Sequence, residues 1–125
     1  MRTVALHLIL ISTLSLLSAC GSGEASPTPT PSKALNGEVN VILKNYSFVP
    51  ERLSFSTNET VKFVMNSSDS VHSFTIRKLG INWMVSRSDE PIVQEYTFTK
   101  PGTYQLICII SGHAAEGMVG EVVVE

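Results

Sequence analysis

The chain has 125 residues, 16% of them charged, and a formal net charge of −2. That length allows one modest domain, and the lack of any basic run argues against nucleic acid as a partner. Cysteine occurs only twice, at Cys20 and Cys108, too few for a dense disulfide framework.

The chain opens on a positive Met1-Arg2. An apolar stretch from Val4 to Leu17 follows, broken only by small polar residues and His7, and it leads into Leu17-Ser18-Ala19-Cys20. The stretch is short for a membrane span, and the small residues at its end mark a secretory signal over residues 1–19. Leu-Ser-Ala-Cys resembles the lipobox of bacterial lipoproteins. That resemblance implies a lipidated Cys20 as the first mature residue and an extracytoplasmic chain held on the cell membrane, on the periplasmic side or at the cell surface. Each buried methylene of the lipid contributes about 0.8 kcal/mol to such anchoring. An ordinary signal peptide cut nearby is the alternative. Residues 20–36 carry three evenly spaced prolines (Pro27, Pro29, Pro31) and almost nothing to bury, so they read as a solvated tether.

Residues 37–125 read as strands. Val39, Val41 and Leu43 alternate with polar residues, as do Leu53 and Phe55, then Val61, Phe63 and Met65. Phe74 and Ile76 continue the period, followed by Tyr96 and Phe98, by Tyr104, Leu106 and Cys108, and by Val122 and Val124. Turn signals separate them at Val49-Pro50, Thr57-Asn58, Asn66-Ser67-Ser68-Asp69 and Lys100-Pro101-Gly102. The pattern predicts an all-β fold, an antiparallel Greek-key sandwich of about seven to eight strands, since a sheet with one apolar face must cover it with another. Leu79 to Pro91 fits either a loop with one helical turn or an irregular edge strand.

The chemistry concentrates near the C-terminus. A strand ends at Cys108, and a loop with glycines at 112, 117 and 120 can curl to bring His113 and Met118 back to it. With Cys20 consumed by lipid, Cys108 is alone in an oxidising compartment, which points to an intermolecular disulfide, a reactive thiol or a metal. Of three histidines, His7 lies in the leader, so the second imidazole must come from His72. Two histidines, one cysteine and a weakly held methionine form a ligand set for copper electron transfer. Soft sulfur suits Cu+, and imidazole suits both oxidation states. A stiff scaffold then limits reorganisation when the electron leaves.

Residues 37–125 resemble the cupredoxins, the family of plastocyanin, azurin and auracyanin. The matching features are Tyr46-Ser-Phe48-Val-Pro50, Val71-His72-Ser73-Phe74, Pro101-Gly102-Thr103-Tyr104 and Cys-x4-His-x4-Met closed by Gly-Met-x-Gly. The spacing is similar to that of auracyanins, plastocyanin having a shorter Cys-to-His interval and azurin a shorter His-to-Met one. The resemblance implies one copper ion held by Cys108, His72 and His113 in a plane with Met118 axial. His113 would reach the surface, beside the small Ala114 and Ala115, as the route for electrons. It also implies a monomeric single-electron carrier, not an enzyme, working with membrane-bound redox partners such as a cytochrome or terminal oxidase. Three positions depart from the relatives, the first being Ser111, where many have proline just before the Gly-His pair. Ser73 stands where asparagine often ties the ligand loops together. Ile110 stands at plastocyanin's proline and keeps an N–H that could donate to the Cys108 sulfur beside Ser73; such donation would raise the reduction potential.

Other readings have identifiable costs. Structural zinc wants four nitrogen or thiolate ligands, and a thioether is a poor one. A binuclear copper site needs a second cysteine where Gly112 stands. A Cys108–His113 nucleophile pair lacks a third group to orient the imidazole. Copper delivery to an oxidase and a metal-free binding sandwich are the functional alternatives; metal retention against a chelator separates the first, and metal content the second.

Overall fold

A computed structural model describes residues 29–125; the leader, Cys20 and the first part of the tether lie outside the described residues. The strands are β1 (Ser32–Lys33), β2 (Glu38–Lys44), β3 (Ser47–Val49), β4 (Arg52–Phe55) and β5 (Glu59–Ser67). They continue as β6 (His72–Ile76), β7 (Ile81–Val85), β8 (Ile92–Phe98), β9 (Gly102–Ile107) and β10 (Val119–Val124). One sheet has the order β1-β4-β10-β9-β6-β7, the other β3-β2-β5-β8. The fold is the expected all-β sandwich, with the chain crossing between sheets at β1–β2, β3–β4, β4–β5, β5–β6, β7–β8 and β8–β9.

Those crossings explain a departure from purely antiparallel pairing. β2 lies parallel to β5, and β4 is parallel to both β1 and β10. A parallel pair cannot be joined by a tight hairpin, and here each connection passes through the opposite sheet. Residues 32–33, placed in the tether by their composition, form β1 at the sheet edge. Backbone hydrogen bonds can pair a strand that has no apolar side chains to bury.

The alternation seen in the sequence is the alternation of burial. Val39, Val41 and Leu43 of β2 point inward between exposed Asn40 and Lys44, and Ile42 faces out. Phe48, Phe63, Phe74 and Phe98 are at most 1% exposed. Burial of each such side chain contributes about 1.5–3 kcal/mol. The stretch Leu79–Pro91 that resisted assignment begins at the last residue of a 3-10 turn (Arg77–Leu79, closed by Gly80), continues as the edge strand β7 and ends in an irregular segment bridged at Arg87 to Ser67. Its Trp83 stacks on Phe74 (centroids 5.6 Å apart, 16° between planes) and touches Phe63. At the other end of the sandwich Tyr104 Oη donates to Lys100 O (2.9 Å), pinning the entry to β9.

Candidate metal centre

Strand pairing places the site. β6 and β9 are antiparallel neighbours, with Thr75 opposite Ile107. The start of β6 therefore lies beside the end of β9, and His72 opens β6 while Cys108 follows β9. Both are fully buried. The chain then leaves the sheet, turns through Gly112 (φ +84°) and Gly117 (φ +102°), and returns at Met118. Left-handed backbone of that kind costs a glycine little. Gly120, grouped with them on sequence grounds, has a different reason: it lies in β10, and a Cβ there would come within 2.5 Å of Glu51 O.

The loop is wound and clamped. His113 N–H donates to Ile110 O (3.1 Å) and Glu116 N–H to Gly112 O (3.1 Å). Cys108 N–H donates to Met118 O (3.1 Å), and Met118 N–H to His113 O (2.9 Å). The backbone of Met118 thus bonds to both Cys108 and His113, and its fully buried side chain belongs to the same core cluster as Cys108.

The three side chains converge. His72 Nδ1 and His113 Nδ1 are 3.2 Å apart, and His113 Nδ1 lies 3.6 Å from Cys108 Sγ. One ligand atom from each of the three falls within 4.8 Å of the others. Both imidazoles present the same ring nitrogen to one small volume, with a sulfur beside them. His72 and Cys108 are buried, whereas His113 is half-buried and gives the group an edge toward solvent.

Ser73 surrounds the sulfur. Its N–H donates to Cys108 Sγ (3.4 Å) and its hydroxyl lies 3.9 Å from the same atom. That hydroxyl also accepts from Ile109 N–H at 2.8 Å, so the serine does tie the two ligand segments together despite its short side chain. Ile110 is placed differently from the sequence reading: its N–H is not among the described donors to Cys108 Sγ. The Ile109 N–H turns to Ser73 and the Ile110 carbonyl accepts from His113.

Two residues that the sequence placed only in a family motif and in a turn prove to stand at the site. Tyr46 sets its ring edge against His113, centroids 5.2 Å apart at 75°. Asp69 Oδ1 lies 2.7 Å from His72 Nε2, the nitrogen that faces away from Cys108 and His113. Desolvation pushes the Asp69 carboxyl up, but hydrogen bonds from Asn45 N–H, His72 and Ser70 N–H outweigh it and hold it at about 2. The available signal was the Asp-x-x-His spacing just before β6.

The sequence pattern of the Cupredoxin-like domain matches residues 7–124, nearly the whole chain. The chain belongs to this family. No curated protein matches it. Its cupredoxin fold is similar to that of reduced auracyanin from the photosynthetic bacterium Roseiflexus castenholzii, with a TM-score of 0.60 at 15% identity, covering 77% of this chain and 99% of that one. A reduced amicyanin variant is similar at 25% identity, with a TM-score of 0.51 and coverage of 74% and 86%. The periplasmic domain of subunit II of the Bradyrhizobium japonicum cytochrome oxidase shares the fold at 10% identity, with a TM-score of 0.59 and coverage of 78% and 86%.

The donor set of this cupredoxin fits one copper ion. A thiolate and two imidazoles suit both copper oxidation states, and Met118, just before β10, would add a thioether that harder metals bind poorly.

Proposed function

We propose that this cupredoxin is a single-electron carrier, not an enzyme, in which His72, Cys108, His113 and Met118 hold one copper ion. The observation that carries the reading is the convergence of His72 Nδ1, His113 Nδ1 and Cys108 Sγ within 4.8 Å at one end of a stiff sandwich. Copper bound there would cycle between Cu+ and Cu2+, taking up or giving up one electron.

The protein's own groups account for the rest. Burial of His72 and Cys108 excludes water from that side of the site, so solvent reorganisation is small when the charge changes. Ser73 N–H and Oγ reach the sulfur, and Cys108 and Met118 are bonded to each other's segment, so the donors are held before any metal arrives. The half-buried His113 is the electron port. The exposed Tyr46 packs its ring edge against it, and the exposed Val71 and Ile109 directly adjoin His72 and Cys108 in the chain; an apolar surface of this kind suits brief docking of a redox partner.

Lipid on Cys20, with the tether, would confine the carrier to the outer side of a membrane and raise its effective concentration near a membrane-bound cytochrome or terminal oxidase. Among the described residues no helix is long and apolar enough to cross a membrane.

The test is the visible spectrum of the copper-loaded protein beside Cys108→Ser. An intense blue band present in the wild type and absent in the variant establishes the copper–thiolate bond. A colourless wild type without stoichiometric copper overturns the reading.

A further inference from the structure

The loop before β6 carries a carboxylate that touches one imidazole and is linked to the other through a neighbouring turn. Asp69 Oδ1 lies 2.7 Å from His72 Nε2, and Asp69 Oδ2 accepts from Asn45 N–H at 2.7 Å. Asn45 directly precedes Tyr46, whose ring edge rests on His113. Ser70 N–H also donates to Oδ1 (2.7 Å), and Ser70 Oγ lies 3.4 Å from Asn45 Oδ1. These contacts bind the β2–β3 turn to the loop before β6, two segments separated by more than twenty residues of sequence.

We infer that Asp69 is a positioning residue that sets both imidazoles, holding His72 directly and His113 through the Asn45–Tyr46 turn. A carboxylate accepts only, so the His72 ring must carry its proton on Nε2 to bond with it, which leaves the Nδ1 lone pair facing Cys108 and His113. A carboxylate behind an imidazole also makes that imidazole a stronger electron donor. Stronger donation favours the more oxidised, more positive state of a metal held at Nδ1, so Asp69 lowers the reduction potential of the centre. The tether between Asp69 and Asn45 acts on the other ring: with the turn held, Tyr46 limits the tilt of His113 about its exposed edge.

Asn is the informative replacement, because it keeps the shape of Asp but can accept at only one of its two terminal atoms. In Asp69→Asn either the His72 contact or the Asn45 contact must be lost; in Asp69→Ala both are. The inference rests on the copper reading for its potential and on the metal-free protein for its proton, which keeps the two failures apart. In metal-free wild type, nitrogen-15 NMR should show His72 protonated at Nε2, with a ring N–H that exchanges slowly with water. In Asp69→Ala that signal should broaden into solvent and the two tautomers should mix. In the copper-loaded protein, both variants should have a reduction potential above wild type, with near-ultraviolet circular dichroism confirming the native packing. If Asp69→Ala does not fold, Asp69→Asn alone decides through its potential and ring proton. An unchanged Nε2–H signal together with an unchanged potential overturns the inference. Absence of copper binding by wild type would overturn the carrier reading and leave the NMR result to judge the positioning role.

Discussion

Ser73 is the residue on which the sulfur environment turns. It is fully buried, supplies two hydrogen-bonding groups toward Cys108 Sγ, and accepts the Ile109 N–H. In Ser73→Ala the Ile109 N–H loses its acceptor, at a cost of about 1–3 kcal/mol. The copper-loaded variant should also have a lower reduction potential, because the sulfur loses the hydroxyl. Chemical unfolding and voltammetry check the two effects separately. By contrast Ile110→Pro should leave the potential nearly unchanged, since its N–H is not among the described donors to the sulfur. Asp69 makes a prediction about acid. Its carboxyl is lowered from 3.8 to about 2 in the folded state, so the folded protein resists protonating it. The stability it contributes is present above the unfolded value and is lost as pH falls from about 4 toward 2. Metal-free wild type should lose stability across that window more steeply than Asp69→Asn, measured by urea unfolding at successive pH values.

At the scale of the element, β10 is pressed against β4 with no room for a side chain at its second position. A Cβ at residue 120 would come within 2.5 Å of Glu51 O, a backbone atom that also accepts from Glu121 N–H. Gly120→Ala must therefore shift one strand against the other. It should destabilise the domain by more than the few tenths typical of surface changes, roughly 2 kcal/mol or above. Because Met118 lies just before β10, the same variant should disturb the copper spectrum, whereas Val93→Ala on the exposed face of β8 should change neither. β7 makes the complementary case. Its Trp83 covers Phe63 and Phe74 at the edge of the sheet, so Trp83→Ala should cost about 3 kcal/mol. β7 pairs with β6 from His72 onward, so this loss loosens the strand that begins with a ligand.

For the whole molecule, the arrangement predicts a linkage between metal and stability. The converging donors come from β6, from the end of β9 and from the loop that follows it, and they meet only in the folded chain. Copper should bind the folded state and stabilise it by mass action, about 2.7 kcal/mol at a free concentration 100-fold above its Kd. For a domain of this size that corresponds to a rise in Tm of roughly 10–20 °C. Calorimetry of metal-free and copper-loaded protein, with Cys108→Ser as the control without the rise, measures it. A stiff site also predicts that the copper resists removal by a competing chelator, which distinguishes a carrier from a protein that hands its metal on.

Much of this molecule was already written in local patterns. Period-two alternation in Val39–Leu43, Val61–Met65 and Tyr104–Cys108 is a direct statement of which side chains face inward, because successive residues of a strand point to opposite faces. His72, Cys108, His113 and Met118 stood out because residues 37–125 contain only two histidines and one cysteine. What the tertiary structure decided is what depends on approach between distant segments. Parallel pairing of β2 with β5 reflects crossings between sheets that alternation does not record. The place of Trp83 was hidden because Met84 is apolar yet exposed, which blurs the alternation of Ile81, Trp83 and Val85 along β7. Gly120 is a glycine because of Glu51, and Asp69 matters because Asn45 and His72 both come to it. An exposed aspartate in a turn looks the same in sequence whether it bonds to water or to an imidazole, and only the folded chain tells the two apart.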